Sequence, residues 1–464
     1  MPEHTVEKIG GTSMSRTAEL LDSVLLRADP YGRIICVSAY AGMTDALLEQ
    51  KKTGAPGVYG AFAAQGDWQA ALDDVLARML DVNAGIFADP AEADAFARER
   101  VEGARSCLLD LSRLCSFGHF QMDQHLMTVR ELLASLGEAQ SAFNTALLLR
   151  GHGVAARFVD LTGWCRSGDA PLDEVIADAF AGIDLARELP IATGYARCSE
   201  SLMRRYDRGY SEITLARIAV VTGAAEAVIH KEFHLSSADP RVVDGVRTIG
   251  QTNYDVADQL SNLGMEAIHP GAAKSLRRAG IPLRVRNAFE PDHAGTLIRA
   301  DLQPATPGVE IVTGLRDVFA LEFHDPDMLG VKGYDAGILD ALKRHGVWIV
   351  AKTSNANTIT HFVKGSMSAI RQVEDDLSAA WPDAAISLEK VALVSAIGRD
   401  LGDGILPRAL DALAEAGVAP RGIHDLMRKV DLQVVVDPDQ HDAALRAMHR
   451  GLVERAPERR LHAA

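Results

Sequence analysis

EKIGGTSMSR, residues 7–16, runs from the end of a short apolar strand containing Val6 and Ile9 into two glycines, Thr12, Ser13 and Ser15. Glycines at such a junction let backbone N–H groups approach an oxyanion closely, and a helix starting just beyond adds a favourable field. Lys8 sets a mobile positive charge beside them. The pattern G-x-x-x-x-G-K-[ST] occurs nowhere in the chain, so this is not a Walker A loop. A Gly-Gly turn without a ligand is the competing reading of these residues alone.

The segments that follow extend the pattern. RIICVSAYAG (33–42) reads as a continuously apolar strand entering a small-residue turn, as buried parallel strands do. VSAYAGMTDALL (37–48) repeats the strand-to-helix junction, with Thr44 and Asp45 placed as helix caps. From Trp68 to about Gly151 the pattern is helical. GVAARFVD (153–160), LPIATGY (189–195) and AEAVIHKEF (225–233) then alternate with helical stretches such as SEITLARIAVVTG (211–223). Strand–helix alternation over the first 300 residues or so predicts an α/β domain with a mainly parallel sheet.

IRADLQPATPGVE (298–310), with Pro304, Pro307 and Gly308, predicts a domain boundary. Beyond it, LDALKRHGV (339–347) and LDALAEAGV (410–418) share six of nine residues at a spacing of 71. Apolar strand-like segments flank each copy: VFALEF and ITHFV around the first, VALVSAIG and LQVVV around the second. A tandem of two small α+β modules is expected.

Composition bounds the function. The chain of 464 residues is 47% hydrophobic and 24% charged, which suits a globular protein of two to four domains. Its 48 Lys and Arg against 63 Asp and Glu leave −15, which argues against a nucleic-acid backbone binder. Five cysteines without C-x-x-C spacing read as reduced thiols of a cytosolic protein. The start MPEHTVEK lacks the plan of a signal peptide, and the best apolar run, from Ile213 to Ile229, is broken by Arg217 and Glu226. A soluble, cytoplasmic protein without membrane contact is expected.

Further candidate residues lie along the first 300 positions. MTVRELLASLGE (127–138) puts Glu131 in a helix with apolar neighbours. RRYDRGYSEITLARIA (204–219) leads Asp207, Arg208, Gly209, Ser211 and Glu212 into an apolar helix. Ser211 or Glu212 suits a helix cap, while Arg208 and Glu212 together offer partners for both charges of an amino acid. LSSADPRVV (235–243) carries Asp239, Pro240 and Arg241 as a turn or a nucleotide clamp. His230 and His234 in HKEFH have a metal-ligand spacing only on a helix, and this segment reads as a strand, so no metal site is expected from protein ligands.

Taken in order, KIGGTS (8–13), SAYAGMT (38–44), RELLAS (130–135), DRGYSE (207–212), ADPR (238–241) and AIHP (267–270) resemble the aspartate kinases of the amino acid kinase family. The C-terminal repeat resembles the paired ACT modules of those enzymes, which bind effector amino acids. The likeness spans nearly the whole chain. It implies a three-layer amino acid kinase domain over residues 1–303, followed by ACT-like, ferredoxin-like modules at 309–385 and 386–464 that can exchange strands. The reaction implied is transfer of the ATP γ-phosphoryl group to the β-carboxylate of L-aspartate, with Mg²⁺ held mostly by phosphates and water.

Residue roles follow from the same resemblance. Lys8 bridges attacking carboxylate and phosphoryl oxygens; Gly10, Gly11, Thr12 and Ser13 hold phosphates. Arg208 grips the α-carboxylate, Glu131 and Glu212 the ammonium, and Ser38, Thr44 and Ser211 add hydroxyl contacts. Ser236, Asp239 and Arg241 face ATP. The chain departs from the pattern at Tyr210 for a glycine, Glu212 for an aspartate, His230 and Lys231 for a Thr-Asp pair, and Glu266 for a lysine, with Lys231 or Lys274 as substitutes for that lost charge. These departures resemble the aspartate kinases associated with ectoine biosynthesis. In the effector segments MLGVKGY (328–334) and KTSNAN (352–357), the contacts implied are Met328, Val331, Gly333, Tyr334, Ser354 and Asn355. Val331 there replaces a serine and Asn355 a glutamate of lysine-inhibited relatives. A homodimer or larger homo-oligomer through the ACT-like modules is implied. A kinase of glutamate or acetylglutamate, and a non-catalytic effector-binding paralogue, are the alternatives.

Overall fold

The computed structural model describes residues 3–51, 53–206, 209–265, 267–302, 308–425 and 427–454. Arg208, Glu266 and the Pro304–Pro307 stretch therefore lie outside the described residues. The chain forms two compact units. One comprises residues 1–235, 250–254 and 268–301; the other comprises 236–249, 255–267 and 302–464.

The first unit is built on eight strands: β1 (Thr5–Ile9), β2 (Arg33–Val37), β3 (Ala156–Val159), β4 (Leu189–Thr193), β5 (Glu226–Lys231), β6 (Gln251–Asn253), β7 (Leu283–Asn287) and β8 (Thr296–Arg299). Their order is β3-β4-β2-β1-β5-β7-β8-β6. All neighbours are parallel except β7 and β8. Every residue of β2 and β4 is buried, as strands covered on both faces require. From β1 the chain builds first towards β2 and then, with β5, on the other side, so a topological switch lies at β1. Ligands of such sheets bind outside the carboxyl ends of the strands at that point.

The expected helical region from Trp68 to Gly151 is three helices: Trp68–Ile86, Ala91–Ser116 and Leu126–Gly151. The third is buried on nearly every side around its middle, from Leu133 to Ala142. It is therefore a core helix, not an amphipathic surface one.

Side chains alternate along β1. Glu7 turns to one face and is 1% exposed. It accepts hydrogen bonds from Arg33 at 2.8 and 3.0 Å and from Arg27 at 3.2 Å, and pairs with His230 Nε2 at 2.7 Å. Burial pushes the carboxyl up, but the Arg33 charge and the His230 bond overcome it and hold Glu7 well below the usual carboxylate range. The cluster ties β1, β2 and β5 together, since a buried charge robbed of its partner is strongly destabilising.

The second unit holds β9 (Gly308–His324), β10 (Trp348–Ser354), β11 (Thr358–Lys364), β12 (Ala385–Arg399), β13 (Gly422–Asp425) and β14 (Asp431–Val436) in one sheet, ordered β10-β11-β9-β12-β14-β13. The two long strands serve both halves. Residues 319–324 of β9 pair with β11 and with the first residues of β12. Residues 308–315 of β9 pair with 393–399 of β12, which also pairs with β14. Helices Tyr334–Arg344 and Met367–Ala380 cover the first half, burying Phe323, Ile338, Leu342, Ile370 and Val373. Ile405–Glu415 and His441–His449 cover the second, burying Val394, Leu413, Leu432, Val434 and Met448.

The division differs from a single break near residue 303, because two earlier segments pack with the C-terminal unit. Ala238 and Val243 join its second core. Val312 N–H donates to Ser237 O at 2.8 Å, Ser237 Oγ meets His449 Nε2 at 2.9 Å, and Asn262 Nδ2 donates to Val350 O at 3.0 Å. Sequence texture could not show this, since these segments are short and their partners lie far along the chain.

Candidate active site

Lys8 stands at the carboxyl end of β1, 8% exposed, with Nζ 3.6 Å from Glu212 Oε1. Gly10 follows as the N-cap of the short helix Gly11–Met14. The Gly10 amide donates to His230 O at 3.4 Å, so it serves the sheet, and phosphate contacts would fall to amides of the first turn after it. A Cβ on Gly11 would lie 2.6 Å from the Ala39 carbonyl oxygen, and Ala41 N–H donates to Ser15 Oγ at 2.8 Å. The junctions after β1 and β2 are thus locked together, and glycine at 11 is what permits it.

The helix Tyr210–Thr222 enters beside them. Ser38 Oγ donates to Ser211 Oγ at 3.2 Å, and Cys36, buried opposite Lys8, lies 4.0 Å from Ser211 O. Neither Ser211 nor Glu212 caps this helix; Gly209 holds the N-cap position. Thr44 and Asp45 are not caps either, because Gly42, in a left-handed conformation at φ 75°, is the N-cap of the helix Met43–Leu47, two residues before Thr44. Thr44 is half-buried in its first turn.

Glu212 lies among Lys8, Lys231 and the His269 amide, which donates to its Oε2. Burial pushes Glu212 up, but the charges of Lys8 and Lys231 and that amide carry it below its ordinary value.

The residue that sequence reasoning missed is Glu138, 2% exposed, in the middle of the buried helix. Burial raises its carboxyl to about 8 against the lowering effects of the Lys8 charge, the Tyr195 and Ala39 amides and the Tyr210 hydroxyl. Its Oε2 is buried without a hydrogen-bond partner, and a Cβ on Gly194 would approach it to 2.8 Å. Tyr210, at the departure from glycine, packs edge-on against Tyr195 with ring centroids 5.6 Å apart.

Glu131, the glutamate singled out from sequence, stands seven residues earlier on the same helix, about 10 Å along its axis. It accepts from Ser201 Oγ at 2.7 Å and Met203 N–H at 3.3 Å, fixing the loop after β4. The signal for Glu138 was its setting, a lone charge among Ser135, Gly137, Ala139, Ser141 and Ala142, small residues that let a helix be enclosed.

Thr12, exposed, and Ser13, buried, lie within the helix Gly11–Met14, and the candidates beyond residue 235 lie in the second unit. Arg241 pairs with Asp239 at 2.7 Å, and Ser236 bridges to Thr248. Met328 is buried; Val331 is 57% exposed; Gly333, at φ 110°, is the N-cap of the helix that Tyr334 begins, and Tyr334 Oη donates to Asp325 at 3.0 Å. Ser354 ends β10, exposed. Asn355 Oδ1 accepts from the amides of Asn357 and Thr358 at 3.1 and 2.9 Å, so it closes its own turn. Among the described residues, no group of three or more His, Cys, Asp or Glu side chains could hold a metal ion, and no helix is long and apolar enough to cross a membrane.

Around Lys8, then, two carboxyl groups of opposed protonation tendency and two hydroxyls line one edge of the sheet. This set can hold a zwitterion beside an anionic group. Comparison with known proteins points the same way. The amino acid kinase family matches residues 3–287. The chain is 53% identical to the aspartate kinase Ask_Ect of Stutzerimonas stutzeri, covering 97% of this chain and 98% of that one. It is 25% identical to the aspartokinase of Saccharomyces cerevisiae, over 70% of this chain and 69% of the relative. Its fold is similar to E. coli aspartokinase III in complex with aspartate and ADP, with a TM-score of 0.72 at 22% identity, covering 97% of this chain and all of that one.

Proposed function

The chain belongs to the amino acid kinase family, and from that premise we propose that it is an aspartate kinase, making 4-phospho-L-aspartate from L-aspartate and ATP. The observation that carries this reading is Lys8, set at the switch point of the sheet between Glu138 and Glu212 in a chain alike from end to end to a named aspartate kinase. An oxygen of the β-carboxylate forms a bond to the γ-phosphorus, and the bond to the bridging oxygen breaks with its electron pair going to ADP. Both reactants are anionic, so positioning and charge neutralisation supply most of the catalysis.

Lys8 meets the developing charge. Glu212, already held by cations and an amide, keeps Lys8 in place, while the unpartnered Oε2 of Glu138 receives the substrate ammonium. Ser38 and Ser211 supply hydroxyls; Thr44 and Glu131 complete the walls of the substrate pocket. Arg208 takes the α-carboxylate, and Ser236, Asp239 and Arg241 belong to the nucleotide. Mg²⁺ would arrive with ATP and supply charge neutralisation at the phosphates, held mostly by phosphate oxygens and water. The role in ectoine supply and the cytoplasmic setting are parts of the same proposal.

Trapping the product with hydroxylamine tests the assignment. Aspartate hydroxamate is expected; product from glutamate or acetylglutamate instead of aspartate overturns it. Nucleotide binding without turnover of any of them would favour the non-catalytic paralogue.

Regulation follows from the second unit. With Asn355 consumed by its own turn and Val331 lacking a hydroxyl, a bound lysine would lack a carboxylate partner for one ammonium. Such a loss typically costs a few kcal/mol, roughly 10–100-fold in affinity. Half-inhibition by lysine alone should therefore lie far above the low micromolar range, and a titration finding it there sinks this reading. Pairing of the ACT-like modules should make the chain a homodimer or larger in sedimentation; a folded full-length monomer would refute that.

A further inference from the structure

The first unit holds a cavity of about 590 Å³ whose lining, among the described residues, includes none of Lys8, Ser38, Glu138, Ser211 and Glu212. It lies between the helices Ala91–Ser116 and Leu126–Gly151 and the loops that leave β3 and β4. Small-molecule sites have this size, roughly 300–1,000 Å³.

Its walls are mostly apolar: Leu108 and Leu111 from one helix, Val129 and Leu132 from the other, and the half-buried indole of Trp164. That indole is fixed on two sides. The Arg100 guanidinium lies 4.6 Å from the ring centroid and is itself tied to Asp160. A Cβ on Gly103 would stand 2.6 Å from Trp164 Cζ2. Glycine weakens a helix of 26 residues, and here it gives the indole its seat.

Two charges of opposite sign face the hollow. Glu131 spends both of its hydrogen bonds, from Ser201 Oγ and Met203 N–H, on Oε1, which leaves Oε2 for a ligand. Arg197 is exposed and lies across Gly163, at φ 74°, where a Cβ would meet its Cδ at 2.6 Å. Its Nη1 donates to Arg166 O at 3.1 Å, which holds the guanidinium at the rim. Tyr195, also in the lining, lies in the field of both charges, so the two stand on the same side of the cavity. A ligand that is only a cation would meet Arg197, and one that is only an anion would meet Glu131. A zwitterion satisfies both, and the leucines and the indole favour an apolar body. Aspartate does not suit, because its second carboxylate would be set against those apolar walls.

We propose that this cavity is a second amino-acid site, for an α-amino acid with an apolar side chain. The ammonium lies on Glu131, the carboxylate on Arg197, and the side chain against Trp164, Leu108 and Leu111. The site goes beyond the kinase reading and involves binding alone. Glu131 is the wall it shares with the substrate pocket, about 10 Å along the helix axis from Glu138.

Calorimetry on the full-length chain tests this with L-phenylalanine as the probe. It should bind with a Kd of about 1 mM or tighter. Phenethylamine, which lacks the carboxylate, and hydrocinnamate, which lacks the ammonium, should each bind about 10-fold or more weakly, and L-alanine about 100-fold. Arg197→Gln, a change at an exposed side chain, should cost about 10-fold for phenylalanine and little for phenethylamine. Saturating L-aspartate should leave phenylalanine bound. Bound phenylalanine should slow alkylation by iodoacetamide of Cys107 and Cys165, both exposed in the cavity lining, and spare Cys115, which lies outside it on the same helix. No binding at about 10 mM overturns the proposal. So does displacement by aspartate, which would put the probe in the substrate pocket, and so does binding without protection of the two cysteines, which would put it elsewhere. Equal affinity for phenylalanine and either single-charge analogue refutes the zwitterion reading on the parent chain, whether or not Arg197→Gln folds.

Discussion

Lys8→Ala should lower kcat about 100–1,000-fold while changing the aspartate KM far less, because a preorganised donor aimed at developing charge contributes about 3–4 kcal/mol to the barrier. The effect should be that large because Lys8 is only 8% exposed and its ammonium is backed by Glu212 at 3.6 Å, so water replaces it poorly. The fold should survive. Lys8 lies on the opposite side of β1 from the Glu7, Arg33 and His230 cluster that joins the strands. Steady-state kinetics beside a thermal melt checks both statements. A large rise in KM with kcat intact would mean that Lys8 binds substrate instead of stabilising the transition state.

Glu138→Gln should raise the aspartate KM roughly 10–100-fold, since an amide leaves the ammonium without its anion in a dry site. It should also alter two pH profiles. In the free protein Glu138 titrates near 8, so binding of an ammonium that needs the carboxylate improves as pH rises towards 8 and then levels. The parent chain should show this rise in kcat/KM for aspartate, and Glu138→Gln should flatten it. Stability runs the other way. The folded-state value lies above the ordinary 4.5, so the folded chain holds the extra proton between the two values. The Glu138 contribution is therefore full below about 4.5 and is lost as pH rises through about 8. Denaturant midpoints from pH 5 to 9 should fall along that course in the parent and not in Glu138→Gln. A KM unchanged by the substitution would remove Glu138 from the substrate site.

Much of the fold was legible because it is written locally. The apolar runs of β2 and β4, the glycines after Lys8 and the repeated LDAL helices each announce their element within ten residues or so. The candidate site was legible where it coincides with such junctions, at Lys8, Ser38, Ser211 and Glu212, which the fold brings together. Glu138 was not, because a glutamate in a helix looks solvated unless the helix is known to be enclosed, and enclosure depends on elements far away in sequence. The Glu7 cluster was hidden likewise: Arg33 and His230 become its partners only once β1 is set between β2 and β5. Non-local register also decided that residues 236–249 and 255–267 go with the C-terminal unit.

The sharing of β9 and β12 has a consequence for how this protein can be taken apart. The duplicated stretch, read along the gene, invites a cut just after Ala385, where the repeat passes from one copy to the next. In space, residues 385–390 are the edge strand of the first copy's sheet, and residues 308–315 do the same for the second. The genetic repeat is out of phase with the folding unit. Severing the chain at that point leaves each fragment with an unsatisfied β-edge and half a strand extending from it, a template for aggregation. Only the pair, inherited and folded together, is a domain in the thermodynamic sense.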